Sequence, residues 1–427
     1  MTSLIFNRVT VLGSDGVCRP DCYVGVRDRH IVYIGDIPPV ERFDEEIDGF
    51  GKVLTTGFVN AHTHIAKTLM RGYGEDMLLN DWLFHRIFPF EDKLTSEAVY
   101  WGSLLGIAEM LKTGTTSFSD MYFFCESTVR AVAQSGIKAN IGRGISCFDE
   151  SLRFSDLPAY RELCELIPIY HGANDGRVCI DVAPHAEYTT RPDILYDAAQ
   201  LAAKHNLHMQ VHVSETEEEH LACVGRHGKT PTGVLAETGV LAQPLTVAHG
   251  VYLTDGDREL LAEHRATVAH CPKSNLKLGS GVADIPALQR AGVAVAIGTD
   301  SAASNNALNM VEELRMAALL QKGLQRDPTV LPAETVWQTG TRVGALSQGR
   351  KDCGEVAVGY RADLVLWDTE VLLGSPLSEI LYSGTAKVVL TMVDGKVLYR
   401  NGVFTTLDIE KIYHEAKRCA IEIENRK

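Results

Sequence analysis

The spacing of apolar and polar positions divides the chain into three stretches. Residues 1–55 read as short strands: SLIFNRVTVL, CYVGVR and HIVYIGD are rich in β-branched and aromatic residues and separated by turn chemistry. The same texture returns near the other end in ADLVLWD, AKVVLTMV and KVLYRNG, with Asp394-Gly395 as the hairpin turn between the last two. No helix-period segment separates the strands of either set. That predicts one small β-sandwich domain built from both chain ends, residues 1–56 and 351–427. Residues 57–350 alternate instead, with short β-type runs at 57–60, 115–119, 138–143, 178–185, 207–213, 245–249, 266–270 and 293–298. Helix-period stretches follow them, such as 96–113, with Ser96 as N-cap and Gly114 as the stop. Eight such units predict an α/β fold, a (β/α)8 barrel like that of triosephosphate isomerase. A doubly wound sheet is the competitor, but no glycine-rich dinucleotide fingerprint follows any strand. A final helix over 408–424 places Ile409, Ile412, Tyr413, Ala416, Ala420 and Ile423 on one face.

In such a barrel, chemistry sits at the C-terminal strand ends. The first strand ends in Asn60-Ala61-His62-Thr63-His64, and residues two apart on extended chain share a face. His62 and His64 therefore point together into the barrel mouth. The fifth strand brings His212 and, three residues on, Glu215; the sixth ends at His249 and the eighth at Asp300. Taken singly, each histidine reads first as a hydrogen-bonded structural residue. Together, His62, His64, His212 and Asp300 make a nitrogen and carboxylate set suited to a catalytic zinc or iron. His270 ends the seventh strand and stays open between site and core. Other patterns fail. His185-Ala-Glu187 lacks the Pro-Cys-x-x-Cys partner of small zinc deaminases, and Gly228-Lys229-Thr230 has Cys223 where a phosphate loop needs glycine.

Composition narrows the class. The 427 residues are 45% hydrophobic and 22% charged, which argues for a globular protein and against disorder. The net charge of −14 argues against a non-specific nucleic-acid binder. No apolar run approaches the ~18 residues of a membrane-spanning helix, and the N-terminus lacks signal-peptide character. Ten cysteines in 427 residues are too sparse for a disulfide scaffold. The expectation is a cytoplasmic protein with no nucleic-acid or membrane partner.

The segments GFVNAHTHIAKTLMRGYGED, DWLFHRIFPFED, HVSETEEE, VAHG, HCPKSNLKLGSG and GTDSAASNN resemble the amidohydrolase superfamily, and GEVAVGYRADLVLWD resembles its exit from the barrel. More narrowly, they are similar to its branch of 5′-methylthioadenosine/S-adenosylhomocysteine deaminases. The resemblance implies one zinc ion per subunit, with iron as the alternative, held by His62, His64, His212 and Asp300. It implies Glu215 and His249 as the proton-handling pair, with Asp300 sharing the base role. Glu91 matches the acid that binds the ribose, and Arg143 and His185 match substrate-binding positions. A second family arginine falls near Arg153, where the loop differs in length. Relatives with two metals bridge them through a lysine at the fourth strand. Here that strand reads VCIDVAPHAEY, so a single ion is expected. The implied reaction is hydrolytic loss of ammonia from the adenine ring of a purine nucleoside, possible in a homo-oligomer. Two rivals share the scaffold: a guanine, 8-oxoguanine or triazine hydrolase, and a non-catalytic scaffold protein.

Overall fold

The computed structural model describes residues 3–369 and 374–426. The chain opens with β1 (Ser3–Leu12), β2 (Cys18–Arg27), β3 (His30–Gly35), β4 (Glu45–Asp48) and β5 (Lys52–Thr56). The barrel strands follow: β6 (Phe58–Thr63), β7 (Thr115–Tyr122), β8 (Lys138–Ile145), β9 (Val178–Pro184), β10 (Met209–Val213), β11 (Leu245–His249), β12 (Thr267–His270) and β13 (Ala294–Ile297). The last strands are β14 (Leu364–Asp368), β15 (Lys387–Val393), β16 (Lys396–Arg400) and β17 (Val403–Phe404).

The chain ends share one sheet, ordered β17-β16-β15-β14-β5-β1-β2-β3, with β4 paired to β1. Its joint is β5 against β14, antiparallel, with Thr56 opposite Leu364 and Lys52 opposite Asp368. Side chains alternate across a strand, and this splits the sheet between two cores. Leu54, Leu364 and Leu366 face a core internal to the sheet. Val53, Val365 and Trp367 face the barrel core. The Asp394-Gly395 hairpin has φ of 47° and 73°, the left-handed pair that a two-residue turn needs. A Cβ on Gly395 would lie 1.8 Å from the Asp28 carbonyl oxygen, so no other residue fits there.

The eight barrel strands run in sequence order, β6 to β13, and the paired neighbours are parallel. Among the described residues no backbone ladder closes β13 onto β6. The seam is stitched instead by Asn60, whose Oδ1 accepts from Thr299 N at 3.0 Å and whose Nδ2 donates to Thr299 Oγ1 at 2.7 Å. Beside it, Asp300 N donates to the His62 carbonyl at 3.0 Å. Gly298 makes this approach possible: a Cβ there would sit 2.9 Å from the N, O and Cβ of His62.

Two local expectations change. The helix Ser96–Lys112 is capped by Thr95, not Ser96; Thr95 is extended and its Oγ1 accepts from Ala98 N at 3.2 Å. The terminal helix Ile409–Asn425 buries Ile412, Ala416, Cys419 and Ile423, while Tyr413 is 52% exposed. Its stripe runs 412, 416, 419, 423, and Tyr413 lies about 100° around the helix from it. Among the described residues no helix is long and apolar enough to cross a membrane.

Candidate metal and substrate site

The strand ends bring His62, His64, His212, His249 and Asp300 together. Ring centroids of His62 lie 5.0 Å from His64, 4.9 Å from His212 and 5.7 Å from His249. Backbone strain helps aim the set. His249 and Asp300 have φ of 71° and 57°, and Ser214, beside Glu215, has 49°. Each is a left-handed conformation that a non-glycine residue adopts at a cost of about 1–3 kcal/mol.

Hydrogen bonds fix the imidazole tautomers. His64 Nδ1 faces the Met121 carbonyl, and His212 Nδ1 faces the His185 carbonyl at 2.6 Å. A carbonyl only accepts, so each Nδ1 carries the proton and each Nε2 keeps its lone pair. Those two Nε2 atoms lie 3.3 Å apart. His62 Nε2 is buried without a hydrogen-bond partner. Asp300 Oδ1 lies 3.4 Å from His64 Nε2 and 3.8 Å from His62 Nε2. Lone pairs so placed repel one another unless a cation lies between them. Two nitrogens each ~2.0–2.1 Å from one tetrahedral zinc lie about 3.3 Å apart, the separation seen here. The donor set therefore fits one such ion. The nitrogen and oxygen atoms that could ligate an ion in His62, His64 and Asp300 all lie within 4.8 Å of one another, as do those of His62, His212 and His249.

The electrostatics agree. Burial holds His62 and His64 well below the usual histidine range, and burial together with His249 brings His212 to about 3. Burial thus favours the neutral imidazole, the form that binds metal. Burial opposes charge on Asp300, but its neighbours, His249 and the Ser274 hydroxyl among them, outweigh it and hold the carboxyl well below its usual range. Ser274 and Ser304 both donate to its Oδ2, which leaves Oδ1 toward the histidines.

Glu215 and His249 stand side by side, with Oε2 3.7 Å from Nε2. Burial raises the Glu215 carboxyl, and Ser280 Oγ donates to its Oε1 at 3.0 Å. Burial would lower His249, but Glu215, Asp300 and Asn275 raise it overall. Asn275 Oδ1 accepts from His249 Nδ1 at 2.8 Å. Behind Glu215, Glu219 accepts from the amides of Ser214 and Glu215 at 3.0 and 2.7 Å.

A small inner chamber of about 30 Å³ is bordered by His64, His185, His212, Glu215, His249 and Asp300. It adjoins an open cavity of about 660 Å³, where Phe88, Phe123, Phe124 and Phe148 supply apolar walls. Glu91, Arg143 and His185 border that cavity. Arg143 is paired with Glu162 and lies over the Phe123 ring at 5.1 Å. His185 Nδ1 meets Thr189 Oγ1 at 3.0 Å. Arg153 is not brought in: its side chain is 83% exposed and it borders neither space. Its amide donates to Asp156 in a tight turn, Phe154–Asp156, that leaves the guanidinium in solvent. His270 borders neither space either, and both its ring nitrogens are buried without partners.

The profile of the amidohydrolase family matches residues 53–398. The chain belongs to this family. Among its relatives, a protein of Desulforudis audaxviator named 5-methylthioadenosine/S-adenosylhomocysteine deaminase is 42% identical over 406 residues, covering 93% of this chain and 94% of the relative. A protein of the same name from Pelotomaculum thermopropionicum is 39% identical over 100% of both chains. The crystal structure of an adenosine deaminase from Xanthomonas campestris with bound zinc superposes with a TM-score of 0.93 at 33% identity, over 100% of this chain and 99% of the other. Atrazine chlorohydrolase from Arthrobacter aurescens TC1, complexed with zinc, shares the fold at 22% identity, with a TM-score of 0.90 over 98% of this chain and 100% of the other.

Several residues of this amidohydrolase site went unassigned from sequence. Ser274, Asn275 and Ser280 lie within the HCPKSNLKLGSG segment, and the segment itself was the signal. Lys67 lies within GFVNAHTHIAKTLMRGYGED, between Ala66 and Thr68, where nothing local marks a lysine for a role. It is buried, borders both spaces, and pairs with Glu91 at 3.2 Å.

Proposed function

We propose that this chain is a zinc-dependent aminohydrolase that removes ammonia from the adenine ring of adenosine-type nucleosides, with methylthioadenosine and S-adenosylhomocysteine as the substrates first in line. The observation that carries the reading is the pair of facing Nε2 lone pairs beside Asp300, with Glu215 and His249 at the same chamber. The deaminase names of relatives at 39–42% identity support the substrate class. One ion is proposed, because β9, VCIDVAP, offers no bridging lysine.

In this proposal His62, His64, His212 and Asp300 hold the zinc. A zinc held there would supply an acidified water near pH 7. Glu215, as the neutral acid, donates its proton to the ring nitrogen next to C6, which removes the charge that attack would build there. His249 is held by Asn275 with Nε2 free, so it takes the proton of the attacking water, and Asp300 shares that role. That proton is then delivered to the amino group, and the other proton of the water restores the Glu215 carboxyl. The C6–O bond forms, the C6–N bond breaks, and ammonia leaves with a 6-oxo purine behind. Glu91 takes the sugar hydroxyls, Arg143 the far end of the substrate, and His185 a ring edge. The ten cysteines are all unpaired, in keeping with a cytoplasmic location.

The test is ammonia release from adenosine, 5′-deoxyadenosine, methylthioadenosine and S-adenosylhomocysteine in parallel, with guanine and a triazine as controls. Turnover of guanine or the triazine alone would overturn the proposal.

A further inference from the structure

Lys67 occupies the short turn Ile65–Met70 directly after His64. Its side chain is 9% exposed and that of Glu91 is 8% exposed. Nζ lies 3.2 Å from Glu91 Oε1 and between two rings, 5.9 Å from the Trp82 centroid and 5.7 Å from that of Tyr122. With His64 and His185, Lys67 borders both the inner chamber and the outer cavity, so the ion pair marks the neck between them. The Tyr122 hydroxyl, buried beside Glu91, adds a third polar group there.

Stability does not explain this placement. Desolvating two charges offsets most of their attraction, and an apolar pair would fill the space as well. The pair does offer specific chemistry. An ammonium has three donors, and that of Lys67 faces Glu91 Oε1 at 3.2 Å as an ion pair in which Oε1 makes no hydrogen bond. Glu91 retains Oε1 as an acceptor. Together they present a donor and an acceptor side by side, with no net charge. A vicinal diol is the complement: one hydroxyl donates to the carboxylate while an oxygen of the pair accepts from the ammonium. A purine whose C6 reaches the inner chamber leaves its sugar at the neck.

We propose that Lys67 is a substrate-reading residue which grips the 2′,3′-diol jointly with Glu91. The inference rests on the nucleoside reading above. It assigns the neck to a neutral sugar, so 2′- or 3′-phosphorylated nucleosides are excluded.

The test is calorimetric titration of the zinc-loaded protein with inosine, 2′-deoxyinosine, 3′-deoxyinosine and 2′,3′-dideoxyinosine. The full diol is expected to bind at least about tenfold tighter than the dideoxy compound, as charge-assisted hydrogen bonds imply. In Lys67→Met that ratio should fall below about threefold, with dideoxyinosine binding nearly unchanged; Lys67→Arg should keep most of it. Equal weakening of all four ligands in Lys67→Met would overturn the proposal, because Lys67 would then only shape the neck. If Lys67→Met does not fold, the wild type and Lys67→Arg still decide. A wild type indifferent to the diol, or a Lys67→Arg variant that loses discrimination for no single hydroxyl and weakens every ligand alike, overturns it. Absence of ammonia release from every adenosine-type nucleoside would instead sink the nucleoside reading itself.

Discussion

Asn275 should control how well His249 handles a proton. Its Oδ1 accepts from His249 Nδ1 at 2.8 Å, which leaves Nε2 facing Glu215. Its amide nitrogen is buried without a partner, so the carbonyl is the half that matters. With His249 neutral, as its proposed role as proton acceptor requires, this is a neutral hydrogen bond, worth about 0.5–1.5 kcal/mol. When His249 takes a proton it becomes charge-assisted, worth about 1.5–3 kcal/mol. The difference, about 1–2 kcal/mol, is stabilisation that only the protonated imidazole receives. Asn275→Leu, which keeps the volume, should therefore lower kcat by roughly 5- to 30-fold. KM should hardly move, because Asn275 borders neither the cavity nor the chamber. Asn275→Asp keeps an acceptor at Oδ1 and should restore most of the loss. The assay is steady-state turnover of methylthioadenosine with zinc content measured on the same samples. Asn275→Leu with full zinc and kcat within about twofold of wild type would refute the assigned role of His249.

Removing metal with dipicolinate should abolish turnover, and one equivalent of zinc should restore it; full activity in metal-free protein would end the zinc reading. Gly298→Ala would put a Cβ 2.9 Å from the His62 backbone, so it should destabilise the fold by about 1–3 kcal/mol and lower zinc occupancy, read by thermal unfolding and metal analysis. Glu313 is fully buried, and burial raises its carboxyl to about 8 from the ordinary 4.5. The folded state thus holds a proton that the unfolded chain has released, so stability falls as pH rises between those two values and levels off above the higher one. Glu313→Gln should flatten that fall by up to about 1.4 kcal/mol per pH unit, and an unchanged slope in denaturant titrations would show that Glu313 is already ionised.

The barrel and the convergence of His62, His64, His212 and Asp300 at its strand ends were legible because the β-type runs repeat and place those residues at their C-terminal ends. Alternation along FVNAHT put His62 and His64 in line for one face, and eight β-type runs separated by helices left few other folds. The pairing of β5 with β14 followed from matching texture at two ends, although sequence gave no register for it. What stayed hidden depends on contacts between distant residues. Lys67 and Glu91 lie 24 positions apart, and nothing local distinguishes a buried ion pair from two surface charges. Arg153 illustrates the converse: its position suggested a substrate contact, but the turn at Phe154–Asp156 directs it outward. Such outcomes are set by loop geometry, which has no period to read. The cap of Ser96–Lys112 moved by one residue because Thr95 and Ser96 are both good caps, and only backbone φ and ψ choose between them.

The site is assembled from parts that weaken the bare protein. Ser214, His249 and Asp300 sit in left-handed conformations, each costing about 1–3 kcal/mol. Two imidazole lone pairs face each other at 3.3 Å, and a third ring nitrogen is buried with no partner. A cation among them turns these repulsions into attractions, so metal affinity and folding stability must be linked. At free zinc a hundredfold above its dissociation constant, the fold gains about 2.7 kcal/mol. The gain should disappear in His212→Ala, which removes one of the facing nitrogens and with it much of the repulsion. That variant is therefore expected to unfold at or above the temperature of metal-free wild type, yet below that of the zinc-loaded protein. A His212→Ala variant that still rises with added zinc as much as wild type would show that the ion is held elsewhere.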